Sequence, residues 1–220
     1  MQQNLTNQAA IDWLLKIIDE IIDFFPDSKI FHIGGDEFID FRQIENYPYL
    51  LEKARQKYGS EARGLEYYYE YINQLARHLG QKGKRVRIWN DGFLRKDKQS
   101  LIPLTKEVEV CYWTNWEKGM ADVKEWLSAG YSLINFCDND LYYVLGEQAG
   151  YSYPTAKKLE NEGNIQKFSG QQWLNKNEMK SVRGTYFSIW ADEPNAKSVS
   201  EILDELTKIL PIFTKIYGEK

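Results

Sequence analysis

Apolar residues recur at helical spacing near the start of the chain. In residues 11–25 they keep to one face, Thr6 or Asn7 precedes them as a helix cap, and Pro26 ends the pattern. Residues 29–33 follow directly as a short apolar run. This order predicts a helix and then a strand.

The same alternation continues to the end of the chain. Further helices are predicted at residues 47–58, 65–79, 121–127, from 155 and at 198–213, and further strands at 84–89, 107–113, 131–136 and 184–190. Because a parallel crossover needs about a dozen residues, strands separated by helices indicate an α/β fold with a parallel sheet. We predict one domain over residues 1–220, with residues 168–184 as a long, irregular loop.

Composition and charge exclude some classes of protein. The net charge is −4 and the basic residues are spread along the chain, so no basic patch for nucleic acid is expected. The apolar run 11–25 is interrupted by Asp and Lys, so we expect no membrane span. The first residues lack the features of a signal peptide. Cys111 and Cys137 are interpreted as small buried apolar residues, and neither a disulfide framework nor a metal site is predicted.

Each predicted strand ends in a polar or aromatic cluster. The clusters read "GGDE", "WNDG", "YWTNW", "DNDLYY" and "WADEP" in chain order. In barrels and open sheets of this architecture the active site lies at the carboxyl ends of the strands. Seven Trp and fifteen Tyr also suit flat ligands such as sugar rings, although cores use aromatic residues as well.

The stretch "GGDEF", residues 34–38, has two interpretations. It is the signature of cyclases that make cyclic dinucleotides, and it also suits a strand that presents an acidic pair to a sugar. A cyclase carries the pentapeptide at a hairpin turn, with much of its nucleotide site upstream. Here one predicted helix lies upstream and a series of strands and helices lies downstream, which favours the sugar-binding interpretation.

The hexapeptide "HIGGDE", residues 32–37, resembles the His-x-Gly-Gly-Asp-Glu motif of the β-N-acetylhexosaminidases of glycoside hydrolase family 20. "IWNDG", "YWTNW", "LYYV" and "IWADE" resemble the later strand-end motifs of that family, in the same order and at similar spacing. The resemblance runs from about residue 5 to the last helix. It implies a substrate with a terminal N-acetylhexosamine and a chemistry without cofactor or metal.

The resemblance also implies catalytic roles. Asp36 and Glu37 are neighbours and are poorly placed to straddle a scissile bond, whereas conventional glycosidases hold two carboxyl groups about 5 to 10 Å apart across it. In this family the acetamido group of the substrate acts as the nucleophile. Glu37 is then the acid and base, Asp36 holds the acetamido N–H, and Tyr142 donates to the acetamido oxygen. Tyr143 is the alternative to Tyr142.

The substrate-binding residues follow from the same motifs. Trp89, Trp113 and Trp190 resemble the family tryptophans that enclose the acetamido methyl and stack on the sugar. Asp192 stands where the family commonly carries a Glu that binds the O4 and O6 hydroxyls, and Glu193 is an alternative.

Three further residues have two interpretations each. His32 is expected to support the site through a hydrogen bond rather than to catalyse. Asp91 is either such a supporting partner or a helix cap. Trp116 either extends the rim of the site or only packs.

The family fold is a (β/α)₈ barrel, and the resemblance covers its strands 4 to 8 with their helices. We therefore expect a partial TIM barrel without its first three βα units, which carry an Arg that grips the sugar. The strands at 29–33 and 184–190 would then have open edges through which chains can associate. Retaining hydrolysis is expected of the intact parent enzyme, for which an extracellular or cell-surface location stays open. The alternative is a non-catalytic, carbohydrate-binding remnant.

Overall fold

The computed structural model describes residues 4–38 and 40–218, and these form two compact units. The first unit contains the described residues up to Val110 together with Glu117–Ala121. The second contains Cys111–Trp116 and the described residues from Asp122 onward. Both units combine helices with parallel strands, so the α/β class predicted from the sequence is confirmed. The prediction of one domain is not tested by this division.

The first unit pairs short strands beside three helices. Its elements are α1 (Gln8–Phe24), β1 (Ile30–His32), a 3-10 helix (Phe41–Asn46), α2 (Pro48–Tyr58), α3 (Leu65–Gln81), β2 (Arg85–Trp89) and the first three residues of β3 (Val108–Tyr112). The strand order is β1-β2-β3, and β1 pairs with β2 in parallel, with Phe31 opposite Val86.

Local sequence explains the helices of this unit. The Asn7 side chain caps α1 by accepting hydrogen bonds from the N–H groups of Ala9 and Ala10. Helix α3 buries a continuous apolar stripe that includes Tyr68, Ile72 and Leu75. Because residues three and four apart share a helix face, this stripe fixes which side of α3 meets the strands.

The second unit contains shorter elements. They are the last two residues of β3, α4 (Val123–Ser128), β4 (Ser132–Asn135), α5 (Asp138–Leu141), β5 (Tyr142–Val144), α6 (Ala156–Glu162), β6 (Lys167–Phe168), β7 (Gln172–Trp173), β8 (Val182–Thr185), β9 (Ser188–Trp190) and α7 (Val199–Tyr217). Strand β4 lies between β3 and β8 and pairs with β8 in parallel, while β5 pairs with β9 in parallel. The predicted loop at residues 168–184 contains only two-residue strands and short 3-10 turns besides the start of β8.

Helix α7 covers the apolar core of the second unit. Leu206, Ile209 and Tyr217 of this helix pack with Leu141 and Tyr143. Ser198 and Glu201 form a capping box at its start, so the predicted beginning of the helix at residue 198 agrees with the structure.

The prediction of one strand over residues 184–190 was wrong. The segment forms β8 and β9, which pair with β4 and β5 in separate ladders. Between them, Tyr186 stacks on Phe136 at a centroid distance of 4.8 Å and Phe187 contacts Phe213 of α7. Aromatic packing therefore takes residues 186 and 187 out of the extended run. Tyr142 likewise begins a strand of its own, after the single turn of α5.

Within the described residues, no helix combines the length and the apolar character that crossing a membrane would require.

Candidate active site

The acidic pair lies on a turn that leaves the carboxyl end of β1. Gly34 and Gly35 have φ angles of 72° and 93°, values that suit glycine and turn the chain sharply. The turn is tied to the next strand, because the N–H of Trp89 donates to the oxygen of Gly34 at 2.9 Å. Asp36 and Glu37 follow, and both residues have exposed surface, although the carboxyl group of Asp36 is partly shielded from water.

Glu37 has a backbone conformation that is rare for residues other than glycine. Its φ is 44°, and its N–H donates to Oδ2 of Asp91 at 3.0 Å. Such strained residues persist only where the surroundings hold them, and they are frequent at functional sites. Asp91 lies in a turn after β2 and precedes no helix, which disagrees with the helix-cap interpretation, and its role as a supporting partner stays a prediction.

The backbone of the loop after β2 lies against the backbone of the loop after β1. A Cβ atom added to Gly92 would lie 2.9 Å from the oxygen of Gly35 and 3.0 Å from the Tyr68 hydroxyl. Only glycine fits at this position without displacing a neighbour. The close contact keeps Asp91 within reach of Glu37.

Tyr68 lies beneath the acidic turn, and the sequence analysis did not single it out. Its ring is stacked between Phe38 and Phe93, with centroid distances of 5.0 and 4.8 Å. Burial raises the pKa of Tyr68 well above its usual value, and the nearby carboxylates of Asp91 and Asp36 add to this. The only sequence signal was its place in the buried stripe of α3.

The pKa of Asp36 is raised as well. Partial desolvation of its carboxyl group is the main cause, and a hydrogen bond within the residue opposes it. A partly desolvated carboxylate interacts more strongly with a nearby partial positive charge than a fully hydrated one does.

His32 supports this turn from the end of β1. Its Nδ1 accepts a hydrogen bond from the N–H of Gly34 at 3.0 Å, and its ring lies 4.5 Å from that of Trp89. Burial lowers the pKa of His32 to about 4, so the ring is neutral at neutral pH. Its Nε2 is buried and has no hydrogen-bond partner among the described residues.

The second unit holds an aromatic cluster around Tyr142. The ring of Trp113 is parallel to that of Tyr142 at a centroid distance of 6.0 Å, and the ring of Trp190 is tilted against it at 5.5 Å. Trp190 is 37% exposed and Trp113 is half-buried, so this cluster has an accessible face. Tyr151, which the sequence analysis did not mention, also contacts Tyr142, at 5.9 Å.

Tyr143 points to the other side of its strand. Its hydroxyl donates to Glu205 at 2.7 Å and receives a hydrogen bond from Lys197 at 3.3 Å, and its ring is fully buried in the core under α7. Neighbours on a strand face opposite sides, so the two tyrosines have different surroundings. Tyr142 is the one in the aromatic cluster.

The two acidic candidates after β9 differ in their surroundings. Glu193 Oε1 accepts hydrogen bonds from the N–H groups of Glu147 and Gln148 at 3.1 and 3.0 Å, so it already holds a loop. Asp192 is exposed. Trp116 is 63% exposed and meets the edge of Trp113 at 6.4 Å.

Within each unit, the structure brings several predicted residues together. His32, Asp36, Glu37, Trp89 and Asp91 cluster in the first unit, and Trp113, Tyr142 and Trp190 cluster in the second. In the described part of the chain, no group of three or more His, Cys, Asp or Glu side chains is arranged to bind a metal ion.

Comparison with known proteins places this arrangement in a family. Residues 1–203 match the model of glycosyl hydrolase family 20, catalytic domain. The chain therefore belongs to this family of hydrolases. The cyclase interpretation is excluded, and it also disagrees with the parallel pairing of β1 with β2, because a hairpin would join antiparallel strands.

One curated relative is the lacto-N-biosidase of Bifidobacterium bifidum, which is 29% identical over 203 residues. This match covers 92% of the chain but 17% of the relative.

Solved structures share the fold at low sequence identity. The crystal structure of Dispersin B matches with a TM-score of 0.73 at 22% identity, covering 98% of this chain and 61% of that one. A catalytic module of the pneumococcal exo-β-D-N-acetylglucosaminidase matches with a TM-score of 0.72 at 24% identity, covering 98% and 51%. The β-N-acetylhexosaminidase of Bacteroides fragilis matches with a TM-score of 0.66 at 19% identity, covering 99% and 42%. The chain thus spans about three fifths or less of these relatives.

Proposed function

We propose that this chain carries the acid/base and acetamido-binding residues of a β-N-acetylhexosaminidase. The proposed reaction is the release of terminal GlcNAc or GalNAc from the non-reducing end of a glycan, with retention of configuration. Family membership supports this proposal. The observation that carries it is the acidic turn, in which Asp91 holds Glu37 at the carboxyl end of a parallel strand.

Glu37 is proposed as the proton donor and acceptor. In the first step it protonates the leaving oxygen while the glycosidic bond breaks, and in the second it takes a proton from the water that opens the intermediate. Because Asp36 is its direct neighbour, that carboxylate is badly placed to attack the anomeric carbon from the opposite side. The carbonyl oxygen of the substrate's acetamido group attacks instead and forms an oxazolinium ring, as is general for this family.

Asp36 is proposed to hold the acetamido N–H and to stabilise the positive charge that develops on the closing ring. Charge stabilisation of this kind is effective where the carboxylate is partly shielded from water. The desolvation that raises the pKa of Asp36 supports that role.

Tyr142 is proposed to donate a hydrogen bond to the acetamido oxygen, and Trp89, Trp113 and Trp190 to enclose the methyl group and the sugar face. The packing of Tyr142 between Trp113 and Trp190 supports its assignment. Flat aromatic faces suit the apolar faces of sugar rings. Asp192 is proposed to bind sugar hydroxyls, since it is exposed whereas Glu193 already holds a loop.

The second candidate function is a non-catalytic, carbohydrate-binding module built on the same strands. The chain spans 61% of Dispersin B and less of the others reported, so binding and turnover are measured separately for it. Such a module, built on strands 4 to 8 of the barrel, would bind N-acetylhexosamine without hydrolysing it.

A pair of substrates tests the proposal. The purified chain is offered an aryl β-glucosaminide with an N-acetyl group and the same glycoside with a free amine. We expect hydrolysis of the N-acetyl compound alone, because the amine has no carbonyl oxygen to attack the sugar. Equal hydrolysis of both would contradict substrate assistance. Binding of N-acetylglucosamine without hydrolysis would support the second candidate.

A further inference from the structure

Asp138 is a buried carboxylate that has no role in the proposed reaction so far. It is the first residue of α5, and it is 5% exposed. Burying a carboxylate costs free energy unless several hydrogen-bond donors satisfy it. A buried carboxylate therefore fixes the positions of the groups that donate to it. The groups that Asp138 holds therefore indicate its purpose.

The Asp138 carboxylate accepts hydrogen bonds from hydroxyl groups of two segments of the second unit. Ser169 Oγ donates to its Oδ1 at 2.5 Å, and Tyr151 donates to its Oδ2 at 3.3 Å. In addition, its N–H donates to the carbonyl oxygen of Trp113 at 3.0 Å. Asp138 therefore holds both the backbone that carries Trp113 and the hydroxyl of Tyr151.

These two partners of Asp138 lie against the same residue. Tyr151 is tilted against Tyr142 at a centroid distance of 5.9 Å, and Trp113 is parallel to Tyr142 at 6.0 Å. Tyr142 is itself buried, so a shift of either neighbour changes the direction of its side chain.

We propose that Asp138 is a positioning residue that sets the direction of the Tyr142 hydroxyl through Tyr151, whose hydroxyl its carboxylate binds. This inference rests on the proposed function, in which that hydroxyl orients the acetamido oxygen. A hydrogen bond of this kind must point to where the oxygen lies during ring closure, and misplacement by about 1 Å can cost on the order of 100-fold in rate. Asp138 acts on Tyr142 and does not touch the substrate.

The variants separate positioning from general structural support. Tyr151→Phe removes the hydroxyl that bonds Asp138 and keeps the ring beside Tyr142. Ser169→Ala removes a different hydrogen bond of the same carboxylate and leaves the hydroxyl of Tyr151 in place, so it is the matched control. Asp138→Asn keeps the size of the side chain but can no longer accept from all of its donors.

The first measurement does not depend on activity. Ring signals of isotope-labelled tyrosine and tryptophan are recorded by NMR for each variant. We expect the signals of Tyr142 to shift in Tyr151→Phe and in Asp138→Asn, and to stay near their original positions in Ser169→Ala. Unchanged Tyr142 signals in both Tyr151→Phe and Asp138→Asn would overturn the proposal, and so would equal shifts in all three variants.

The second measurement is steady-state hydrolysis of an aryl N-acetyl-β-glucosaminide. We expect Tyr151→Phe to lower kcat by about 10- to 100-fold while KM changes by less than about threefold, because the lost orientation matters mainly in the transition state. A loss seen only in KM would contradict a positioning role. A wild-type chain that neither hydrolyses the glycoside nor binds N-acetylglucosamine contradicts the proposed function, whereas the NMR comparison still decides whether Asp138 positions Tyr142.

Discussion

The Oδ2 atom of Asp91 accepts a hydrogen bond from the backbone N–H of Glu37 at 3.0 Å, across a separation of 54 residues. The bond joins the turn after β1 to the turn after β2 at the point where Glu37 has its unfavourable φ of 44°. Because this bond is made by the backbone N–H, it fixes the direction of the Glu37 side chain without involving the carboxyl group. We therefore expect Asp91 to fix the position of Glu37, the proposed acid.

Replacement of Asp91 tests this control. We expect Asp91→Ala to lower kcat/KM for an aryl N-acetyl-β-glucosaminide by about 100-fold, because the acid moves out of line with the leaving oxygen. Stability should fall by about 1 kcal/mol for the lost hydrogen bond. Asp91→Asn keeps an oxygen acceptor and should stay closer to the wild-type rate. Wild-type kinetics in Asp91→Ala would show that Glu37 does not depend on this bond.

The two neighbouring tyrosines should respond differently to the same change. Tyr142→Phe should lower kcat, since its hydroxyl is assigned to the substrate. Tyr143→Phe should leave kcat nearly unchanged and cost about 0.5 to 1.5 kcal/mol of stability, because its hydroxyl bonds Glu205 and Lys197. The opposite pattern would reverse the assignment.

The close approach of the two turns predicts a steric effect at Gly92. Gly92→Ala should destabilise the fold by about 1 to 3 kcal/mol, because its Cβ would press against the oxygen of Gly35. Gly80→Ala is the control: Gly80 lies within α3 and has no neighbour within 4 Å of an added Cβ. That change should stabilise the protein by about 0.5 to 1 kcal/mol. The free energy of unfolding is measured in urea for both variants. An unchanged stability of Gly92→Ala would contradict the packing described.

The buried His32 predicts a dependence of stability on pH. Its pKa falls from 6.5 to about 4 in the folded state, so between these values the unfolded chain binds the extra proton. Stability therefore falls as the pH is lowered through this window, by about 3 kcal/mol in total for a pKa shift of this size.

A variant isolates this contribution from that of the carboxylates. His32→Asn removes the titrating ring and retains an acceptor for the N–H of Gly34. Free energies of unfolding are measured for both proteins between pH 4 and 6.5. We expect the wild type to lose stability more steeply than His32→Asn as the pH falls. Parallel curves would mean that His32 is not held neutral by burial.

Much of the fold could be predicted from the sequence because strong periodic patterns mark its helices and first strands. The predicted strand at residues 84–89 and the helix at 65–79 lie within one or two residues of β2 and α3. The break between β8 and β9 could not be predicted, because residues 184–190 form one run without a turn signal, and distant aromatic partners divide it.

The candidate site was predicted unevenly, for a physical reason. Residues next to a strand end, such as Asp36 and Glu37, are marked by local sequence. The hydrogen bond of Asp91, the different surroundings of Tyr142 and Tyr143, and the ring contacts of Tyr68 and Tyr151 depend on contacts between different segments of the chain. Sequence periodicity does not contain that information.

The most direct test of the central claim is the rate at which the chain hydrolyses an aryl N-acetyl-β-glucosaminide with and without the Glu37 carboxyl group. We predict measurable turnover for the wild type and a loss of about 100- to 10,000-fold in Glu37→Gln, with N-acetylglucosamine still bound. Glu45→Gln, the same change at an exposed position, should retain the wild-type rate. Wild-type turnover in Glu37→Gln would contradict the account.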